Sequence, residues 1–280
     1  MTIRGVLVGT VLAAIALPAT GQAADYGGGT ALKSVKKFQR QLAVVSVRTR
    51  SDGQAFIRVL VQARCGSASL GRTVTPAAAD GSFTIRTTVR SRGGDLLRSA
   101  QIRVAGTVAG ASGSGTASAK LTFRRGGRVV GRCDSGTRRW QVRTPVAEPL
   151  VGPPRANRGY FGLTSQTRGR PHAFTLRVGG GAGRVQSAVF DYRVRCRRGS
   201  LDSNNITPGG RIGADGTFRL RERFTLRFSN ATERFLVKVN GRFTPNGVNG
   251  TLSVESVTRS LSGRVTDRCR TGRQTFAAVP

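Results

Sequence analysis

The sequence predicts an all-β protein of two tandem antiparallel β-sandwich-like domains, each tied by one disulfide. Three observations carry that expectation: a cassette of landmark residues occurs twice, apolar and polar residues alternate over long stretches, and the four cysteines fall one pair to each copy. The first copy of the cassette reads Cys65, Asp80-Gly81-Ser82-Phe83, Gly106, Gly115-Thr116, Cys133 and Trp140. The second reads Cys196, Asp215-Gly216-Thr217-Phe218, Gly241, Gly250-Thr251, Cys269 and Phe276. In both copies 25 positions separate the first two of these glycines, 9 the next pair, and 7 the second cysteine from its aromatic. Tyr26-x-Gly28-x-Thr30 and Tyr160-x-Gly162-x-Thr164 open the copies, so the repeat spans nearly the whole chain beyond its first residues.

Residues 1–23 have the build of a secretory signal peptide: Arg4, an apolar stretch from Gly5 to Leu17, the helix breaker Pro18, and the small residues Gly21 and Ala23. About 13 apolar residues fall short of the roughly 20 that a spanning helix needs, so no membrane span is expected once the signal is removed. An exported, extracellular or cell-surface chain suits disulfides. Four cysteines permit three connectivities, and the duplication favours Cys65 with Cys133 and Cys196 with Cys269. A zinc site is the rival reading, but the close Cys-x-x-Cys spacing is missing and His172 is the only histidine.

The first β-domain is expected over 24–143 and the second over 159–280. Pro145, Pro149, Pro153 and Pro154 fall in the segment 144–158 between them, which reads as an extended linker that sets the domains apart. Within the domains the period is two. Ile57, Val59, Val61 and Ala63 alternate with Arg58, Leu60, Gln62 and Arg64, and Ala188, Phe190, Tyr192 and Val194 with Val189, Asp191, Arg193 and Arg195. Phe83, Ile85 and Val89 repeat the device. Further strands are expected at Gln101 to Thr107, Thr116 to Arg124, Arg234 to Phe243, Gly250 to Val257 and around Trp140 and Phe276. Asp-Gly, Gly-Gly and Ser-Gly turns punctuate them. A sandwich is the expected closure and a barrel the alternative. Ala31 to Leu42 is the one stretch with helix-like apolar spacing, and the second copy opposes that reading with Gly169 and Pro171.

The formal net charge is +33. Residues 24–146 hold 22 basic and 5 acidic residues and residues 147–280 hold 23 and 8, so the charge is spread over both domains and is not a basic tail. The pattern Tyr160-x-Gly162-x-Thr164-Ser165-Gln166, Cys196, Gly216-x-Phe218, Gly241-x-Phe243, Gly250-Thr251-Leu252, Cys269-x-Thr271-Gly272 and Phe276-x-Ala278 resembles a secreted domain that recurs, often in tandem, in high-GC actinobacteria. The likeness covers the second half well and the first more loosely. Trp140 stands where such domains place Trp, and Phe276 departs from that. The resemblance implies a secreted β-domain with no established activity. It also offers a plain origin for the arginine excess, since GC-rich codons favour Arg over Lys.

Catalytic groups are scarce. His172 follows Pro171 and reads as a surface or strand-edge histidine. Asp80 and Asp215 read as turn residues before glycine. Leu201-Asp202-Ser203-Asn204-Asn205 offers hard oxygens to calcium, against a polar loop as the plainer reading. Gly110 to Gly115 and Gly179 to Gly183 precede no helix that could receive a phosphate and read as hairpin connections. Sequons occur at Asn205, Asn230 and Asn249.

The sharpest surface feature is Phe218 to Phe228. Phe218, Leu220, Phe224, Leu226 and Phe228 share one face with Glu222, while Arg219, Arg221, Arg223 and Arg227 project from the other. On a strand these arginines form a ladder with neighbours roughly 6.5 to 7 Å apart, suited to repeated anions. A solvated edge that blunts aggregation is the structural alternative. The reading is of a non-enzymatic protein without a cofactor that binds anionic polysaccharide or a teichoic-type polymer. Extracellular nucleic-acid binding and an envelope-polymer hydrolase are the other candidates.

Overall fold

The computed structural model describes residues 23–32, 42–78, 80–93, 95–145, 150–166, 171–197 and 199–280. The expected signal peptide, all but its last residue, lies outside these, as do most of the expected helix at 31–42 and part of the proline-rich linker. Among the described residues the secondary structure is β-strand joined by turns. The first module holds β1 (Asp25–Gly29), β2 (Ala43–Thr49), β3 (Gln54–Ala63), β4 (Gly66–Pro76) and β5 (Ser82–Gly93). It continues with β6 (Leu96–Ala109), β7 (Ser112–Arg125), β8 (Arg128–Asp134) and β9 (Arg138–Arg143). The second holds β10 (Gly159–Thr164), β11 (Ala173–Val178), β12 (Val185–Cys196), β13 (Gly199–Pro208) and β14 (Thr217–Arg227). It ends with β15 (Ala231–Phe243), β16 (Val248–Ser260), β17 (Val265–Arg270) and β18 (Gln274–Val279).

Each module is one antiparallel sheet with the same path. The order is β4-β3-β2-β1-β9-β7-β6-β5 in the first and β13-β12-β11-β10-β18-β16-β15-β14 in the second. The sheet bends until its ends come together, β4 against β5 and β13 against β14. Two halves of one sheet thus face each other across a core, which gives the sandwich-like build expected of the alternating pattern. Ile57, Val59 and Val61 of β3 meet Ile102, Val104 and Leu121 in the first core, and Phe174, Phe190 and Tyr192 meet Val237, Val239 and Val254 in the second.

The cassette residues hold this build together. A Cβ on Gly106 or Gly115 would collide with the Trp140 ring, so the two glycines form the bed on which the indole lies. Gly250 does the same for the smaller Phe276 ring. In the turns before β5 and β14, Asp80 accepts a hydrogen bond from the Ser82 amide, and Asp215 from both the amide and the hydroxyl of Thr217. These donors hold both carboxyls below the ordinary carboxylate pKa. The disulfides join Cys65 to Cys133 and Cys196 to Cys269, closing separations of 68 and 73 residues. The cysteines are therefore bonded to one another, and the zinc reading is set aside.

The modules are not set apart by the linker. They pack face to face through β1 and β2 of the first and β10, β11 and β12 of the second. Leu32, Leu42, Val44, Ala173, Val189 and Ile206 form a buried apolar cluster there. The repeat meets itself: counting from Tyr26 and Tyr160, the register puts Val44 and Ala173 at equivalent positions. A Cβ on Gly27 would strike the Gly162 carbonyl oxygen, so glycine in these opening strands lets two backbones touch. The Ser46 hydroxyl donates to the Pro171 carbonyl at 2.9 Å and the Ser187 hydroxyl to the Leu32 carbonyl at 3.0 Å. Proline content pointed to an extended spacer, yet complementary apolar faces on both modules override it.

Candidate anion-binding site

Two groups of charged residues stand out, one buried between the modules and one open to solvent. In the buried group, Arg58 of β3 reaches across to the second module. Its Nη1 lies 2.8 Å from His172 Nδ1 and 2.9 Å from Asp191 Oδ2, and its Nη2 lies 3.8 Å from an Asp202 carboxylate oxygen. Arginine can only donate, so Nδ1 is the acceptor in this contact, and it also lies 3.5 Å from Asp191 Oδ2. His172 is 3% exposed and Asp191 4%. The expectation of a surface or strand-edge histidine is thus wrong, because Arg58, a residue 114 positions away, covers it. No local signal at His172 pointed to that partner.

The open group lies where β17 is inserted between β12 and β16. Its register pairs Arg195 with Arg270 and Cys196 with Cys269 across β12 and β17, and Glu255 with Arg270 and Val257 with Arg268 across β16 and β17. Directly opposed residues share a face. Arg195, Arg268 and Arg270 therefore gather on the face away from the disulfide with Glu255 beside them, and Arg197 joins them from the turn after β12, all four arginines being exposed. They line a cleft of about 1210 Å³ whose wall also includes Arg193, Gln166 and His172. Gln166 helps to shape the wall: its amide donates to the Arg193 carbonyl and accepts from the Arg193 amide, both at 2.8 Å. Arg193 lies 3.9 Å from Asp202. Among the described residues the other four arginines have no ion-pair partner within 4 Å. Asp267 accepts from the backbone amides of Arg197 and Arg268.

The ladder expected on Phe218 to Phe228 is β14, at the end of the sheet path. Arg219, Arg221, Arg223 and Arg227 are exposed on it. Phe218 and Leu220 enter the core and Phe224 stacks on Phe235 at 4.6 Å, but Leu226 and Phe228 are exposed. The apolar face thus reaches the core only through its first half. Glu222 is drawn inward between them, and burial raises its pKa, partly offset by the Asn205 amide. The ladder and the cleft belong to one surface. The register runs Arg223–Leu236–Glu255–Arg270–Arg195 across β14, β15, β16, β17 and β12, with Arg221 opposite Lys238 and Thr225 opposite Arg234 alongside. At about 4.8 Å per strand the row spans roughly 19 Å. Sequence reasoning found the ladder and missed the cleft, because Arg193 to Arg197 and Arg268 to Arg270 are some 70 positions apart and meet only through β17.

The remaining sequence candidates are structural. Leu201 to Asn205 lies within β13, where alternation sends Asp202 toward Arg58 and Asn205 toward Thr207, so these oxygens do not converge as a calcium loop would require. Gly110 to Gly115 turns β6 into β7, and Gly179 to Gly183 joins β11 to β12.

Comparison with known proteins adds little. No family model matches the chain, and no curated protein does. Among solved structures it is similar to kievitone hydratase from Nectria haematococca, at 7% identity and a TM-score of 0.21, covering 91% of this chain and 89% of that one. A protein provisionally titled AttH from Nitrosomonas europaea gives 10% identity and a TM-score of 0.19, with 90% and 91% covered. Likenesses this slight carry no argument about fold or function.

Proposed function

We propose that the protein is exported and acts outside the cell without catalysis, binding anionic cell-envelope polymers such as acidic polysaccharides or teichoic-type chains. The observation that carries this reading is the basic surface of the second module, where the β14 ladder and the β17 arginines share one face in register. Guanidinium forks grip phosphate or carboxylate with two hydrogen bonds, and rows of them suit a repeating anion. The N-terminal signal-like segment and the two disulfides support the compartment. A single-stranded nucleic acid would look for exposed rings to stack on. Among the described residues Phe228 is the one aromatic among the large, exposed apolar side chains, so the polymer reading is preferred.

The test is retention of the mature chain on immobilised teichoic acid or acidic polysaccharide. Binding should weaken steeply between low and moderate salt, as screening of several exposed charges requires. Flow-through at low salt, or retention indifferent to salt, contradicts the proposal.

A further inference from the structure

We infer that the cleft at the β12–β17 junction is a discrete site for a compact polyanion of the diphosphate type. The inference rests on the anion-binding reading above but names a small ligand and a single place. Like charges directly opposite on paired strands repel. Here Arg195 faces Arg270; Arg268 lies two residues before Arg270 on β17, and Arg197 lies in the turn that follows β12, beyond the disulfide pair. The sequence keeps this conflict inside a concavity, where a cleft of one sign concentrates counter-ions.

The first module shows that the scaffold does not require it. At the matching places it has Arg64 for Arg195, Gly66 for Arg197, Arg132 for Arg268 and Asp134 for Arg270, and Lys120 stands where the second has Glu255. Asp134 pairs with Lys120 at 3.9 Å, so the first module has an acid–base pair where the second brings Arg270 opposite Arg195. In the second module four guanidiniums share the junction with two carboxylates, Glu255, opposite Arg270, and Asp267, which accepts from the Arg197 and Arg268 amides, so two positive charges remain in excess among these groups. Neighbours on one strand face are roughly 6.5 to 7 Å apart, and partners across strands about 5 Å. Arg195, Arg270 and Arg268 take these spacings, and with Arg197 in the adjoining turn they match two linked phosphates held by guanidinium forks better than one monoanion.

Inorganic pyrophosphate titrated into the full mature chain tests the inference, followed by calorimetry at low salt with orthophosphate and acetate as comparisons. One equivalent should bind, at least tenfold tighter than orthophosphate. Arg270→Asp, which installs the residue the first module carries, should weaken it tenfold or more while the thermal midpoint stays level or rises as repulsion is relieved. Arg219→Gln with Arg221→Gln on the ladder should leave it unchanged. No saturable binding, a stoichiometry well above one, or equal loss in the ladder variant overturns the site. One-to-one pyrophosphate binding without polymer retention keeps the site and rejects the polymer reading, and the reverse result does the opposite.

Discussion

The two modules share a strand order, a core and a bridge, and differ where β8 and β17 join the sheet. β17 is laddered on both sides, to β12 and β16, whereas β8 is laddered to β7 and tied to the far side through Cys65–Cys133. The same junction puts Lys120 opposite Asp134 in the first module and Arg195 opposite Arg270 in the second. A duplicated scaffold has thus kept its packing residues in register while its solvent face diverged. Packing constrains Gly106, Gly115 and Trp140 to each other, whereas the exposed Asp134 and Arg270 differ at matching places: Asp134 accepts from the Gly136 amide and pairs with Lys120, and Arg270 faces Arg195.

Removing the bridges probes that difference most strongly. The chain-entropy model values each closed loop at about 4 kcal/mol. Cys65→Ala with Cys133→Ala should cost at least that, since one ladder then holds β8. Cys196→Ala with Cys269→Ala should cost less, because β17 keeps two. Urea denaturation compares them, and Trp140 fluorescence reports the first module alone, as the chain has 1 Trp. Equal losses would show that the second ladder adds no strength.

Arg58 marks a second asymmetry, standing where the second module has Val189. Arg58→Val should destabilise by about 3 kcal/mol, because Asp191 is left buried without its counter-ion. Arg58→Val combined with Asp191→Leu should recover most of the loss. A single variant within 1 kcal/mol of the parent, taken as roughly the value of an exposed pair, would make this contact incidental.

The smallest effect is expected at Glu222. Burial raises its folded pKa, so the ionised carboxylate is penalised in the fold and stability falls as pH rises through the carboxylate range. Glu222→Gln should be slightly more stable than the parent at pH 7, and that advantage should vanish below about pH 4, where both side chains are neutral. Thermal melts across pH decide it; an advantage that persists in acid would place its origin in packing.

The strands, the turns and the disulfide pairing were legible because alternation, Asp-Gly turns and paired cysteines are local or repeated signals. Other features were not. Tyr26 to Gly29 and Gly159 to Thr164 are central strands, but glycine-rich sequence has weak strand propensity and only the partner backbone explains it. Leu201 to Asn205 looked like a polar loop because the partners of its polar side chains, Arg58 for Asp202 and Glu222 for Asn205, come from distant strands. The Arg58–His172–Asp191 contact and the arginine cleft are assembled from distant segments, so their parts were visible and their meeting was not.

The central claim is that position, and not net charge alone, makes the second module bind anions. Two variants with equal charge change decide it on a teichoic acid column: Arg219, Arg221, Arg223 and Arg270 each changed to Gln, against Arg86, Arg90, Arg92 and Arg103 of the first module, all exposed, each changed to Gln. The account predicts that the first elutes at much lower salt while the second stays close to the parent. Identical shifts in the two would contradict it.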